Sequence, residues 1–146
     1  MTHRVDLSPA FEQALQRADA NQKKLLDDLI QAFRLYVAKG THPDFGRDAA
    51  LDWPSSVQLA GLQHVHVVEL AVQGDVRLFA AWRKRRPNDR TSNRMLVYVE
   101  DSQGNYCLLA YFHDEAHRQL NKSTLMGVLA DMAEAWFQKN KTLPKA

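Results

Sequence analysis

The spacing of hydrophobic residues changes at about Gly61, and this change constrains the fold more than any other feature of the 146-residue chain. Before it, apolar residues recur every three or four positions, as on one face of a helix: Leu26, Leu29, Ile30, Phe33 and Val37. After it, several segments are rich in β-branched and aromatic residues, which favour strands. The pattern therefore predicts an α+β fold in which helices precede a sheet.

Capping signals set the limits of the predicted N-terminal helices. The serine–proline pair at residues 8–9 favours a helix start, because serine can cap and proline suits the first helical position. Asp19 is followed three residues later by Gln22, an arrangement similar to a capping box. Gly40 is placed to end the second segment. The first forty residues are thus one bent helix or two consecutive helices.

Four segments in the second half are predicted strands: residues 61–70, 76–85, 95–102 and 106–114. Turn residues separate them, so an antiparallel meander is expected, and a short opening strand is expected at residues 3–7. Residues 41–60 lack a clear period and contain Pro43, Gly46 and Pro54, so they are predicted to be an ordered loop. A C-terminal helix is predicted at residues 123–139. We expect one domain over residues 1–146, with N-terminal helices packed on a mainly antiparallel four- to five-stranded sheet.

Composition and cysteine content indicate a globular protein and the compartment in which it functions. Hydrophobic residues make up 45% and charged residues 25%, an ordinary globular balance that excludes wholesale disorder. Cys107 is the single cysteine, so neither an internal disulfide nor a zinc–thiolate cluster can form. No segment resembles a signal peptide, and no run of about 18 apolar residues exists. We therefore expect a cytoplasmic protein with no membrane partner.

Basic residues are concentrated between residues 83 and 94. The net charge is only +2, but this stretch holds six basic residues and one acid. One interpretation is a solvated loop, which most charge runs are. The other is a nucleic-acid contact, since clustered guanidinium groups suit phosphate; its basic residues begin with Arg83, Lys84, Arg85 and Arg86.

Two pairs of histidines carry the chemistry that the sequence supports. His64 and His66 are two apart, so on a strand they share one face, with valines on the other. They are either hydrogen-bonded structural residues, groups for RNA contact and proton transfer, or metal ligands without an evident third ligand. His113 and His117 follow the last predicted strand, where exposed reactive side chains are favoured.

RNA cleavage without a metal needs a base, an acid and cations. The base accepts the proton of the ribose 2′-hydroxyl, the acid protonates the leaving oxygen, and the cations stabilise charge on the phosphate. Residues able to do this lie on neighbouring predicted strands or at their ends: His64, His66, His113, Arg77, Arg90 and Tyr111. A composite site on the sheet is therefore expected, although the strand register that would bring these residues together is not visible in the sequence.

Six ordered fragments resemble the YafO-type toxins. They are HPDFGRDAALDWP (42–54), HVHVVEL (64–70), VRLF (76–79), RTSNRMLVY (90–98), CLLAYFHDEAH (107–117) and MGVLADMAEAW (126–136). The stretch before Arg90 looks like an extension relative to the family. The resemblance implies a RelE-like fold, ribosome-dependent cleavage of mRNA and neutralisation by an antitoxin. The residues that match best are Phe45, Gly46, Arg47, Asp48, His64, His66, Arg77, Arg90, Thr91 and His117.

On this basis the expected function is that of a type II toxin, a ribosome-dependent endoribonuclease that needs no metal or other cofactor. The predicted catalytic residues are His64, His66, His113, His117, Arg77 and Arg90. The predicted RNA-binding residues are Arg47, Asp48, Arg83, Lys84, Arg85, Arg86 and Tyr111. The expected partners are the ribosome, mRNA and a small acidic antitoxin that wraps the basic face.

Two other functions stay open. The first alternative is a non-enzymatic ParE-like toxin on the same scaffold, which inhibits a target such as a gyrase by binding alone. The histidine-rich sheet argues against this, because binding needs no proton carriers. The second alternative is a metal-dependent hydrolase centred on His64 and His66.

Overall fold

The computed structural model describes residues 3–114 and 116–145, and for His117 it describes the backbone alone. The helices are α1 (Pro9–Arg17), α2 (Ala20–Lys39), α3 (Ser55–Ala60), α4 (Leu70–Gln73), α5 (Val76–Lys84), α6 (Ala116–Gln119) and α7 (Ser123–Asn140). The strands are β1 (Val5–Leu7), β2 (Phe45–Ala50), β3 (Gln63–Val67), β4 (Arg94–Glu100) and β5 (Tyr106–Phe112). The predicted α+β class is confirmed.

The capping signals work as the sequence predicts. The Ser8 side chain accepts a hydrogen bond from the Phe11 amide, at 3.1 Å between Oγ and N. Asp19 and Gln22 form a complete capping box at the start of α2. Gly40 ends α2 with a φ of 83°, in the left-handed region that glycine occupies without strain. The N-terminal segment is therefore two consecutive helices.

The five strands form one mixed sheet in the order β1-β5-β4-β3-β2. The central pairings β5-β4, β4-β3 and β3-β2 are antiparallel, as expected, while β1 pairs parallel to β5. In register, His64 faces Val97 and His66 faces Met95 across β3 and β4. A bulge between Val97 and Tyr98 shifts the pairing of β4 with β5.

The prediction of a strand at residues 76–85 is wrong, because this segment is helix α5. The Asp75 carboxylate caps it, accepting hydrogen bonds from the amides of Arg77 and Leu78, each at 3.0 Å. Trp82 is its buried anchor, 4% exposed, and its indole N–H donates to the Pro43 carbonyl at 2.8 Å. Apart from Val76, the segment lacks the β-branched residues that favour a strand.

The prediction that residues 41–60 form a loop is also wrong, because they contain β2 and α3. The register of β2 breaks between Phe45 and Asp48, which hides the alternation expected of a strand. Gly46 is required there, since a Cβ atom would lie 2.3 Å from the Arg90 carbonyl oxygen.

Two apolar cores lie on opposite faces of the sheet. On one face, α1 and α2 pack through Phe11, Ile30 and Phe33 against residues such as Val65 and Leu96. On the other, α3 and α7 pack against residues of β4 and β5, among them Met95, Val97 and Cys107. We call these the α2 face and the α7 face. None of the described helices is long and apolar enough to span a bilayer.

Candidate functional site

The histidine pair of β3 lies on the α7 face of the sheet. The ring centroids of His64 and His66 are 5.8 Å apart, so the prediction that they share a face is confirmed. Their cross-strand partners Val97 and Met95 belong to the α7 core, whereas Val65 points to the α2 core. His66 is 3% exposed, while His64 is only partly buried.

The segment that leads into β4 holds the ring of His66. Its Nδ1 lies 2.8 Å from the amide nitrogen of Ser92 and 3.0 Å from the carbonyl oxygen of the same residue. A neutral ring accepts from the N–H, and a protonated ring can donate to the carbonyl. The backbone of Ser92 therefore presents both a donor and an acceptor to Nδ1 of His66. The Ser92 hydroxyl donates to the Val67 carbonyl at 2.6 Å, which fixes this segment against β3.

His64 lines a surface cavity of about 210 Å³. The other walls come from the segment after β2, from β4 and from the connection between α6 and α7: Leu51, Asp52, Trp53, Met95, Leu120 and Asn121. Of these described side chains, His64 and Asp52 can carry a proton, and Asn121 can donate and accept hydrogen bonds. Trp53 is 54% exposed and presents an aromatic surface at the cavity. The cavity therefore combines proton carriers with a platform for stacking.

The basic segment begins at the end of α5, and Arg90 fixes its backbone. Arg83, Lys84, Arg85 and Arg86 are all exposed. Arg90 is 8% exposed, and burial lowers the pKa of its guanidinium below the ordinary value. Its Nε donates to the carbonyls of Trp82 and Arg85, Nη1 to that of Phe45 and Nη2 to that of Arg83, at 2.8–3.1 Å. This placement favours a structural role for Arg90 over contact with a phosphate.

The remaining predicted cations are exposed. Arg77 lies in the first turn of α5, seven residues before Lys84 and so on the same side of the helix. Arg47 extends from β2, and its amide donates to the Arg90 carbonyl at 2.9 Å. Ser92, two residues beyond Arg90, is the residue that contacts His66. The chain thus connects the basic segment directly to the histidine pair.

The α2 face holds two other predicted site residues, away from the β3 pair. Tyr111 packs against the α2 core, and His113 lines a groove beside it with its side chain 75% exposed. The Tyr111 hydroxyl accepts from Nε of Arg94 at 2.7 Å. The single composite site expected from the sequence is therefore divided between the two faces of the sheet. The side chain of His117 lies outside the described residues.

Asp48 is enclosed by tyrosines rather than presented to a ligand. Its Oδ2 accepts hydrogen bonds from the hydroxyls of Tyr36, at 2.7 Å, and Tyr98, at 2.5 Å. Burial raises the pKa of the Asp48 carboxyl, although these two hydrogen bonds act in the opposite direction. The contacts join α2, β2 and β4, so they favour a structural role over the predicted RNA contact.

Sequence reasoning missed three residues of these sites. Ser92 was part of a matching fragment but carries no signal of its own for holding a histidine ring. Trp53 carries no functional signal of its own in the sequence, and its exposure beside His64 depends on the fold of residues 51–54. Arg94 is 4% exposed on a strand whose alternation places it in the α2 core layer. Within residues 3–114 and 116–145, no three His, Cys, Asp or Glu side chains are grouped to hold a metal ion.

Comparison with known proteins gives one family. The model of the family described as "Toxin YafO, type II toxin-antitoxin system" matches residues 34–139. No curated protein and no solved structure matches the chain significantly. The matched span includes β2 to β5, α7 except its last residue, and both histidine positions of β3.

Proposed function

The chain belongs to the YafO toxin family of type II toxin–antitoxin systems, and from this we propose that it stops growth by cutting translated mRNA on the ribosome. The observation that carries the proposal is the cavity in which His64 and Asp52 meet the exposed ring of Trp53. This grouping offers two things at one place: proton transfer, which cleavage requires, and base stacking, by which single-stranded RNA is bound.

The size of the cavity suits part of a nucleic-acid chain. Its volume of about 210 Å³ is below the ~300–1,000 Å³ typical of sites that enclose a whole small molecule. It therefore suits one sugar–phosphate unit of a longer strand, with a neighbouring base stacked on Trp53. The exposed cations Arg83 to Arg86 and Arg47 supply charge for the phosphates on either side.

In the proposed reaction, the ribose 2′-oxygen attacks the adjacent phosphorus and the bond to the 5′-oxygen breaks. The products are a 2′,3′-cyclic phosphate and a free 5′-hydroxyl, so no water and no oxidant is consumed. Of His64 and Asp52, one acts as the base that takes the proton of the 2′-hydroxyl, and the other acts as the acid that gives a proton to the leaving oxygen. His66, buried behind His64, is a positioning residue. His113 and His117 stay predicted proton carriers, and no metal is required by this scheme.

The test uses purified protein in a reconstituted translation reaction with one mRNA. We expect His64→Ala to lower the cleavage rate by about 100-fold or more, the contribution typical of a general acid or base. His3→Ala is the matched control, because His3 is exposed and contacts the carbonyl of Gly104, at the opposite end of the β4–β5 hairpin from Met95 of the cavity. Equal rates for His64→Ala and the wild type would refute the assignment.

Two further results would replace the proposal with its rivals. Growth arrest with intact mRNA and damaged DNA would indicate a toxin that acts by binding a target such as a gyrase. Stoichiometric zinc that survives dialysis and is absent from a His64→Ala, His66→Ala variant would indicate a metal-dependent hydrolase.

A further inference from the structure

An apolar groove lies on the α2 face, on the opposite side of the sheet from the histidine pair. Its volume is about 540 Å³. One wall is a row of alanines, the exposed Ala10 and Ala14 on α1 and the partly buried Ala18 just after it, and the other includes Leu25 of α2 and Leu70 of α4. Leu70 is 51% exposed. We call this the α1–α2 groove; a contiguous apolar groove of this kind is typical of a binding surface.

A buried cation lies next to the groove. Arg94 is 4% exposed and donates from Nε to the hydroxyl of Tyr111, which lines the groove, and from Nη1 to the Val68 carbonyl. Arg94 itself lines a second, more polar cavity of about 220 Å³. The two cavities share Leu25 and Leu70, so they adjoin each other.

Arg94 has no ion pair with a carboxylate in the described part of the chain. The acids of its cavity are engaged elsewhere: Asp28 pairs with Lys24 at 2.9 Å, and Asp44 lies 3.9 Å from His42. Glu69 accepts a hydrogen bond from the Asn93 amide at 2.7 Å. Two hydrogen bonds and the Tyr111 ring, whose centroid lies 5.5 Å from the guanidinium carbon, hold Arg94 in place. An acidic group supplied by a ligand would add the carboxylate partner that a buried charge favours.

From these features we propose that the α1–α2 groove is the docking site of the antitoxin. The groove takes the apolar side of an amphipathic segment, and an acidic side chain of that segment pairs with Arg94. This inference rests on the toxin role proposed above, since a toxin of this family has an antitoxin as its partner. An apolar groove with one buried cation fits a protein segment better than RNA, whose backbone would bring a charge with every nucleotide.

An antitoxin segment bound in the α1–α2 groove leaves the cavity of His64 uncovered, because the two lie on opposite faces of the sheet. Variants that block the groove keep their toxicity and escape neutralisation. Ala14 is the position of choice because it is exposed in the middle of α1 and its side chain lines the groove. Ala14→Trp fills the groove without removing a core contact. Ala135→Trp is the matched control, an exposed alanine on α7 in the opposite layer.

The experiment titrates each purified toxin variant with the purified antitoxin by calorimetry and, in parallel, scores growth when both proteins are expressed. We expect Ala14→Trp to weaken binding by about tenfold or more, as for a residue at the centre of an interface. Ala135→Trp should bind as the wild type does. Arg94→Met, checked for folding by circular dichroism, should also weaken binding and reduce its dependence on salt.

Two outcomes would overturn the inference. One is binding by Ala14→Trp within about twofold of the wild type, a change too small for a blocked interface. The other is self-association of the toxin that Ala14→Trp abolishes while antitoxin binding is unchanged, which would assign the groove to a second copy of the chain. A failure of the proposed nuclease function can be distinguished from a failure of the docking inference, because antitoxin binding is measured without RNA. A toxin that arrests growth without cutting mRNA would refute the nuclease role and leave the binding result standing.

Discussion

Arg90→Lys separates a structural role of this residue from the phosphate contact that the sequence suggests. The guanidinium makes four hydrogen bonds to carbonyls, and those to Trp82 and Phe45 are buried. A hydrogen bond with a charged partner contributes ~1.5–3 kcal/mol, so the two buried bonds alone account for ~3–6 kcal/mol. Lysine keeps the charge but lacks the planar fork that reaches carbonyls on several sides. We therefore expect the free energy of unfolding to fall by about 3–6 kcal/mol.

The measurement is urea unfolding followed by tryptophan fluorescence, with Trp82 as the nearest reporter. Arg86→Lys is the matched control; its side chain is 91% exposed and pairs with Asp89 at 3.9 Å, so stability should change by less than about 0.5 kcal/mol. A loss below about 1 kcal/mol in Arg90→Lys, together with a large loss of RNA cleavage, would refute the structural reasoning. That result would return Arg90 to the catalytic role predicted from the sequence.

Three further perturbations follow from contacts and burial. Gly46→Ala should destabilise the protein by about 1–3 kcal/mol in urea unfolding, because its Cβ would lie 2.3 Å from the Arg90 oxygen; Gly127→Ala, with open space around its Cβ, should not. Burial raises the pKa of Asp48 in the folded state, so the stability linked to its protonation is present at low pH and lost as pH rises through the folded pKa. Asp48→Asn removes this loss, so its stability relative to the wild type should improve as pH rises above ~4, the ordinary pKa range of a carboxyl group; an unchanged difference would contradict this. Cys107 is 1% exposed, and burial raises the pKa of its thiol to about 12. A thiol reagent should therefore modify Cys107 only after unfolding.

Local signals in the sequence were sufficient for the N-terminal helices and for the face shared by the histidines. Ser8, Asp19 and Gly40 act through hydrogen bonds or backbone angles within a few residues of themselves. The alternation of His64 and His66 is likewise a property of one strand. Such features depend little on contacts with distant parts of the chain.

Features that depend on distant contacts were not predictable in the same way. β2 is an edge strand with a broken register, and its Gly46 has meaning only because Arg90 packs on it. Helix α5 has apolar residues that fit a strand, but the cap at Asp75 and the contact of Trp82 with the Pro43 carbonyl favour a helix.

The division of the predicted site between two faces has a similar cause. Tyr111 and the β3 histidines lie on neighbouring parts of the sequence-predicted sheet, but the bulge between Val97 and Tyr98 and the parity of each strand decide which face a residue meets. Neither is visible in the residue types. The same holds for Arg94, whose burial beside the α1–α2 groove depends on the packing of α2 and α4.

Primer extension on a reporter mRNA, after induction of the toxin, tests the central claim most directly. The reporter is used with its start codon intact or removed, and the toxin as the wild type or as His64→Ala. We predict cuts in the translated message with the wild type, none in the untranslated message, and none with His64→Ala. Growth arrest by the wild type with both messages intact would contradict the account.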